Sequence, residues 1–334
     1  MEFFMPEYTV DYEVNKFDPY SRLSEGMKRV IDWQNAHAKD AFDTNFSWEQ
    51  VRANYVAERR FWNEGGPEPY KTVETTVEGP VGPVPVRLYY PTDAQKHYAV
   101  VFIHGGGFTL GNNDTHDRMM RCVMESSGCV VIGVDYHLAP EYKFPTQLYE
   151  CAAVARYFHE NAEEWGIYGD KIALCGDSGG GVLSLSTNLY LRDAWKDNSY
   201  IAALLLFYPG IGLDDGISRR MEGSILDGMR RCDLAAYGDS YSPPGMDPEN
   251  PYKKIVNADL THGMPPTYIC CGDMDPLLDD CRLLKIILAG HGVRVELEEV
   301  PGVLHAYMHY SRMMDEAVDC LRHSGEFYKS VLEG

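Results

Sequence analysis

The chain has 334 residues, and 30 Lys+Arg against 50 Asp+Glu leave a formal net charge of −20. With 45% hydrophobic and 24% charged residues, its balance is that of a globular protein, which excludes disorder as the main state. The acidity argues against nucleic acid and anionic membrane surfaces as partners, because phosphates would be repelled; it suits an enzyme of neutral small molecules.

The length corresponds to roughly two average domains, or to one large α/β domain with an appendage. The first residues have no basic n-region and no apolar h-region, so no signal peptide is expected. The most apolar stretch, 201–208, is far too short to span a bilayer. Nine cysteines, an odd number with no C-x-x-C spacing, predict buried thiols in a reducing cytosol rather than disulfides or zinc. The expected location is cytoplasmic, and no metal and no cofactor are expected.

Residues 1–65 are polar and helical in pattern. Leu23, Met27, Val30, Ile31 and Gln34 follow helical spacing, and Ser47 with Gln50 resembles a capping box ahead of a second helix. A Gly/Pro stretch at 64–70 then reads as a connector. Strands are predicted at 72–77, 84–90, 99–104, 130–134, 172–176, 202–208, 267–272 and 293–300. A Gly-Pro turn makes the first two a hairpin, and the later runs are apolar throughout, as strands covered on both faces should be. Helices are predicted near 115–127, 146–165, 179–193, 277–290 and 311–330. The alternation implies a mostly parallel sheet with an antiparallel start. Residues 210–260, rich in Gly and Pro, interrupt it. An insertion at that edge of a sheet lies where ligands bind.

Two glycine motifs follow strands. Gly176-Asp177-Ser178-Gly179-Gly180 joins an apolar strand to a helix, which is the setting of a nucleophile elbow with Ser178 at its tip. His104-Gly105-Gly106-Gly107 follows an earlier strand, and its backbone N–H groups can face a ligand without side-chain obstruction. Gly105 and Gly106, joined by the N–H of Gly179, are the expected oxyanion donors, with Gly107 a flexible third and His104 a structural support for the loop. No phosphate-cradling motif competes for these glycines. A serine nucleophile needs an imidazole and an orienting carboxylate, in the chain order serine, acid, histidine. Asp273 and Asp275 are equal candidates for the acid. His305 follows the last strand; His309 lies four residues on, and His291 precedes that strand.

Together these residues resemble the hormone-sensitive-lipase-like group of α/β-hydrolases, in particular the bacterial acetyl esterases. The matching stretches are HGGGFTLGNNDTHDRMMR at 104–121, DYHLAPEYKFP at 135–145, GDSGGG at 176–181, DMDPLLDD at 273–280 and PGVLHAYMHYSRMM at 301–314. The resemblance implies an α/β-hydrolase fold, with an eight-stranded sheet flanked by helices and a helical cap. The cap segment would be 1–65, the catalytic domain 66–334, with a cap insertion near 210–250. It selects Asp275 over Asp273 and matches Ser178 and His305 as nucleophile and base. The group often has alanine where this chain has Gly179, which keeps the N–H but loosens the turn. The implied activity is hydrolysis of short-chain acyl esters. Alternatives are a receptor-like binding module of the same fold, as in plant gibberellin receptors, and a serine peptidase. By resemblance alone, a maltose-regulon activator and an α-galactosidase are regulatory partners; the oligomeric state, a homodimer included, is left open.

Overall fold

The computed structural model describes residues 5–7, 9–38 and 40–334. Two helices come first, α1 (Glu25–His37) and α2 (Trp48–Asn63). Ser24 caps α1 by accepting the Met27 N–H, and Ser47 caps α2 by accepting the Gln50 N–H at 3.3 Å. The expected capping box is only half formed, since the Gln50 amide reaches forward to Asn54 at 2.7 Å.

The sheet follows as β1 (Lys71–Gly79), β2 (Gly82–Tyr90), β3 (His97–Ile103), β4 (Val130–Val134), β5 (Ile167–Asp177), β6 (Ile201–Phe207), β7 (Thr267–Gly272) and β8 (Val295–Val300). Its spatial order is β1-β2-β4-β3-β5-β6-β7-β8. β2 pairs antiparallel with both β1 and β4, and the remaining pairs are parallel. All residues of β4 and β7 are buried, whereas the edge strands β1 and β8 alternate or expose charge. This is the burial that apolar runs and alternating runs respectively require.

Helices α3 (Asp117–Ser127), α4 (Thr146–Glu160), α5 (Gly179–Asp193), α6 (Ile217–Met221), α7 (Arg231–Tyr241), α8 (Leu278–Gly290) and α9 (Asp315–Glu333) complete the chain. Two boundaries differ from expectation. The helix expected to reach 165 stops at Glu160, because β5 begins early: Ile167 pairs with His97 across a register shift. The last helix starts at Asp315, so residues 311–314, expected to be its first turn, are non-helical and follow a 3-10 turn, Tyr307–Tyr310. The insertion after β6 is also more ordered than its Gly/Pro content suggests, since it holds α6 and α7.

Every loop that matters for function leaves the same edge of the sheet. The parallel strands β3, β5, β6, β7 and β8 all end there, so their following loops converge although they are far apart in sequence. Helix α2 and the insertion close over that edge. None of the described helices is long and apolar enough to cross a membrane.

Candidate active site

Ser178 sits between β5 and α5 with φ 51° and ψ −119°. A side chain bearing residue rarely adopts such a backbone, and the surroundings must hold it there. They do so by close contact. A Cβ on Gly180 would lie 1.9 Å from the Ile103 carbonyl oxygen, so helix α5 can cross β3 only with glycine at that position. The strained turn lifts the hydroxyl away from the sheet.

His305 comes from the loop after β8 and Asp275 from the loop after β7. His305 Nδ1 lies 2.6 Å from Asp275 Oδ2, and Nε2 lies 2.9 Å from Ser178 Oγ. With the Nδ1–H donated to the carboxylate, Nε2 is free to accept the serine hydroxyl. Asp275 Oδ1 accepts the Leu277 N–H at 2.8 Å, which fixes the carboxylate. Asp273 is engaged elsewhere, with Oδ1 accepting the Gly302 N–H at 2.7 Å. Burial on its own lowers the pKa of His305; the charge and hydrogen bond of Asp275, supported by Asp227 and Asp177, outweigh it and raise the imidazole above its ordinary value.

The glycine loop after β3 departs from expectation at one residue. The Gly105 N–H donates to Asp177 Oδ1 at 2.8 Å. It is therefore not available to a ligand, and the expected donor role of Gly105 is corrected on that ground. Gly106 and Gly107 line the cavity with Ser178 and Gly179. Their N–H groups have no acceptor among the described residues. The Gly107 nitrogen is 3.5 Å from where a Gly179 Cβ would stand. The space such a Cβ would take is bordered by the Phe108 ring at 3.3 Å, so an aromatic side chain limits the looseness expected of a glycine there.

His104 is buried beneath the loop. Its Nδ1 is 2.8 Å from the Gly105 oxygen, its ring stacks on Tyr136 at 4.2 Å, and burial, reinforced by His116, pushes its pKa down to about 3. The Tyr136 hydroxyl donates to the His104 carbonyl at 2.8 Å, so the 135–141 stretch braces the same loop from below. His309 lies in the 3-10 turn, 3.7 Å from Asp177 Oδ2, and His116 Nε2 is 3.3 Å from Asp177 Oδ1. Burial, with Arg59 and His116 nearby, keeps His309 neutral well below its ordinary pKa. Burial opposes the Asp177 charge, but the two imidazoles outweigh it and hold the carboxyl well below its usual range. These three side chains are also close enough to be compared with a metal site. The chemistry fits poorly, since Asp177 already accepts a backbone N–H and the Arg59 cation is near.

A cavity of about 470 Å³ opens onto Ser178 and His305. Its walls come from both ends of the chain. Tyr55 and Arg59 enter from α2, and Asp227, Leu234 and Tyr237 enter from the insertion. Arg59 is 1% exposed, is paired with Glu58 at 2.5 Å, and has its guanidinium 4.5 Å from the Tyr55 ring centre. These wall residues were not foreseen. Leu234, Tyr237 and Tyr241 do follow helical spacing, a signal hidden by the glycines around them. Asp227 stands in a turn and gave no signal at all.

The arrangement is that of an α/β-hydrolase. Residues 100–309 match the model of a family described as having the alpha/beta hydrolase fold, and the chain belongs to that family. It is 40% identical over 319 residues to an acetyl esterase of Salmonella paratyphi A, covering 96% of this chain and 98% of that protein. An acetyl esterase of Salmonella choleraesuis is equally similar, at 40% identity over the same length and coverage. Among solved structures, a hyperthermophilic esterase from Pyrobaculum calidifontis superposes with a TM-score of 0.87 at 29% identity, over 94% of this chain and 100% of that one. A thermostable carboxylesterase cloned from a metagenomic library gives 0.82 at 26% identity, over 87% and 99%. Within the family, this protein is a carboxylic ester hydrolase of the hormone-sensitive-lipase-like group.

Proposed function

We propose that the protein hydrolyses short-chain, acetyl-type esters through an acyl-enzyme formed on Ser178. The observation that carries this reading is the continuous relay from Ser178 Oγ to His305 Nε2 at 2.9 Å and from Nδ1 to Asp275 at 2.6 Å, opening on a cavity. Ser178 Oγ attacks the carbonyl carbon while its proton passes to His305 Nε2. The oxyanion that forms accepts hydrogen bonds from the N–H groups of Gly106, Gly107 and Gly179, each worth about 3 kcal/mol in the transition state. The ester C–O bond then breaks, and Nε2 returns the proton to the departing alcohol. Water repeats the sequence on the acyl-enzyme, with His305 again the base, and releases the acid. Asp275 orients the ring and stabilises its charged form.

Aromatic side chains crowd the glycine loop beside Ser178, which supports a short acyl group. Tyr237 packs so tightly on the loop that a Cβ on Gly107 would meet its ring at 2.4 Å, and Phe108 stacks on Tyr241 at 3.8 Å. Helix α2 and the insertion act as the cap that limits water and acyl length. The relatives named acetyl esterases support the same preference. Cysteines recorded as free in the structure suit a reducing compartment, consistent with a cytoplasmic enzyme. The receptor-like alternative is disfavoured by His305 standing within reach of Ser178. The assignment stops at a small-molecule ester.

Ser178→Ala should reduce p-nitrophenyl acetate turnover by about five to six orders of magnitude. Turnover near the wild-type level would remove the assignment. A series from acetate to laurate should peak at the short end; a peak at long chains would contradict the acetyl preference and leave the relay standing.

A further inference from the structure

Arg59, Arg219, Lys253 and Lys254 are the cationic side chains on the cavity wall. Three of them are neutralised by carboxylates. Arg59 pairs with Glu58 at 2.5 Å, Arg219 with Asp280 at 2.9 Å, and Lys254 with Asp214 at 2.8 Å and Glu249 at 2.9 Å. Lys253 is the exception. Its ammonium has no ion pair and no hydrogen bond among the described residues, and Asp239 acts on it only from a distance. The side chain is half-buried, so a ligand in the cavity can still reach it. Partial burial without a partner disfavours the charged form and lowers its pKa, and a bound anion would remove that cost.

The carboxylates on the same wall are already engaged. Asp214 and Glu249 hold Lys254, Asp177 accepts the Gly105 N–H at 2.8 Å, and Asp227 ties its own turn through the Ser224 N–H at 2.8 Å. None of them is left to serve Lys253. We propose that Lys253 is a specificity-determining residue, whose ammonium pairs with a carboxylate on the alcohol part of the ester, so that the preferred substrates are short-chain acyl esters of hydroxy acids. This rests on the ester-hydrolase reading above and deepens it. An acetyl group carries no charge, so the anion must belong to the leaving alcohol. One ammonium matches a singly charged carboxylate better than a doubly charged phosphate, whose second charge would face Asp214 and Glu249 on the neighbouring Lys254. The chain's net charge of −20 disfavours anions at long range. Salt screens that effect beyond about 8–10 Å, whereas contact with a half-buried cation is screened much less.

The test compares kcat/KM for 4-acetoxybenzoate and for 4-acetoxybenzamide, which has nearly the same shape without the charge. The two leaving groups differ in reactivity, so the readout is the benzoate-to-benzamide ratio of each enzyme. Lys253→Met should lower that ratio about five- to tenfold through a higher KM for the benzoate, and Lys253→Glu should lower it further. Added salt should lower the wild-type ratio and leave that of Lys253→Met in place. A purely structural Lys253 would slow both esters in step, and a ratio that Lys253→Met leaves at the wild-type value overturns the proposal. 4-Acetoxyphenyl phosphate is the dianionic control: a larger response to Lys253→Met than the benzoate shows would overturn the choice of a carboxylate. Should the wild type hydrolyse neither neutral nor charged ester, the ester-hydrolase reading itself fails; where the benzamide is turned over and the ratio does not respond, only the Lys253 assignment falls.

Discussion

The sheet edge and the cap above it are held by different forces. At the edge, the elbow and glycine loop are locked by steric contact: Gly180 against Ile103, and Gly176 against Gly180, where an added Cβ would lie 1.9 Å and 2.5 Å from backbone atoms. Behind them stand fully buried apolar strands. The cap sends Met27, Ile31 and Trp62 into the same apolar core and is further tied down by polar bridges. Gln34 on α1 donates to Glu58 at 2.8 Å and to the Tyr310 hydroxyl at 3.0 Å, Arg52 on α2 donates to the Thr109 and Ala139 carbonyls at 2.8 Å and 2.7 Å, and Arg22 pairs with Glu222. Close-packed backbone has no soft direction, whereas hydrogen bonds can exchange with water one at a time. The proposed relay therefore sits on the rigid part, and the walls contributed by α2 and the insertion on the part that can adjust.

That contrast can be broken in four places. The largest effect should come from the relay: Asp275→Asn should lower kcat by about 10⁴-fold, because the wrong tautomer is then held, while Asp273→Asn should have a far smaller effect. The reverse ranking, measured by steady-state kinetics, would move the acid role to Asp273. Next is packing at the elbow. Gly180→Ala should destabilise the protein by about 3 kcal/mol or prevent folding, since neither backbone can yield; a soluble variant with wild-type thermal unfolding would show that the contact is not tight.

A smaller effect belongs to the cap. Gln34→Ala should cost about 1–3 kcal/mol and speed amide exchange in α1 and α2 before the sheet is affected. Exchange rising equally in β3 and β5 would erase the distinction between the two regions. The smallest effect is a shift in pH dependence. In the proposed mechanism His305 acts as a base only when neutral, and its pKa is raised, so kcat/KM should fall as the pH drops through that raised value. Asp227 contributes to the rise, so Asp227→Asn should move the acidic limb to lower pH. A shift to higher pH would mean that Asp227 does not act on His305 through its charge.

What could be foreseen follows the same division. Residues 130–134, 179–193 and 267–272 form strand, helix and strand as their patterns predict, because apolar runs and glycine-marked turns are local properties of the chain. Ser178 and His305 were legible because strand ends in a parallel sheet are brought together by topology, whereas only the family resemblance set Asp275 apart from Asp273. Gly105 was misjudged because the direction of one N–H depends on where the Asp177 carboxylate stands, 72 residues away in sequence. Asp227 and Arg59 were invisible for a related reason. A turn aspartate and a helix arginine have their ordinary roles in solvent, and only the closing of two distant segments over one sheet edge removes them from water.

The amino-acid sequence by itself determined the order of the strands and helices, the turn at Ser178 and the place of His305 after the last strand. These depend on periodicity, glycine positions and one-way connections. Tertiary structure alone decided which backbone donors face the cavity and which polar groups line it. Those outcomes are set by desolvation and by partners from remote parts of the chain, and neither is encoded in a local stretch.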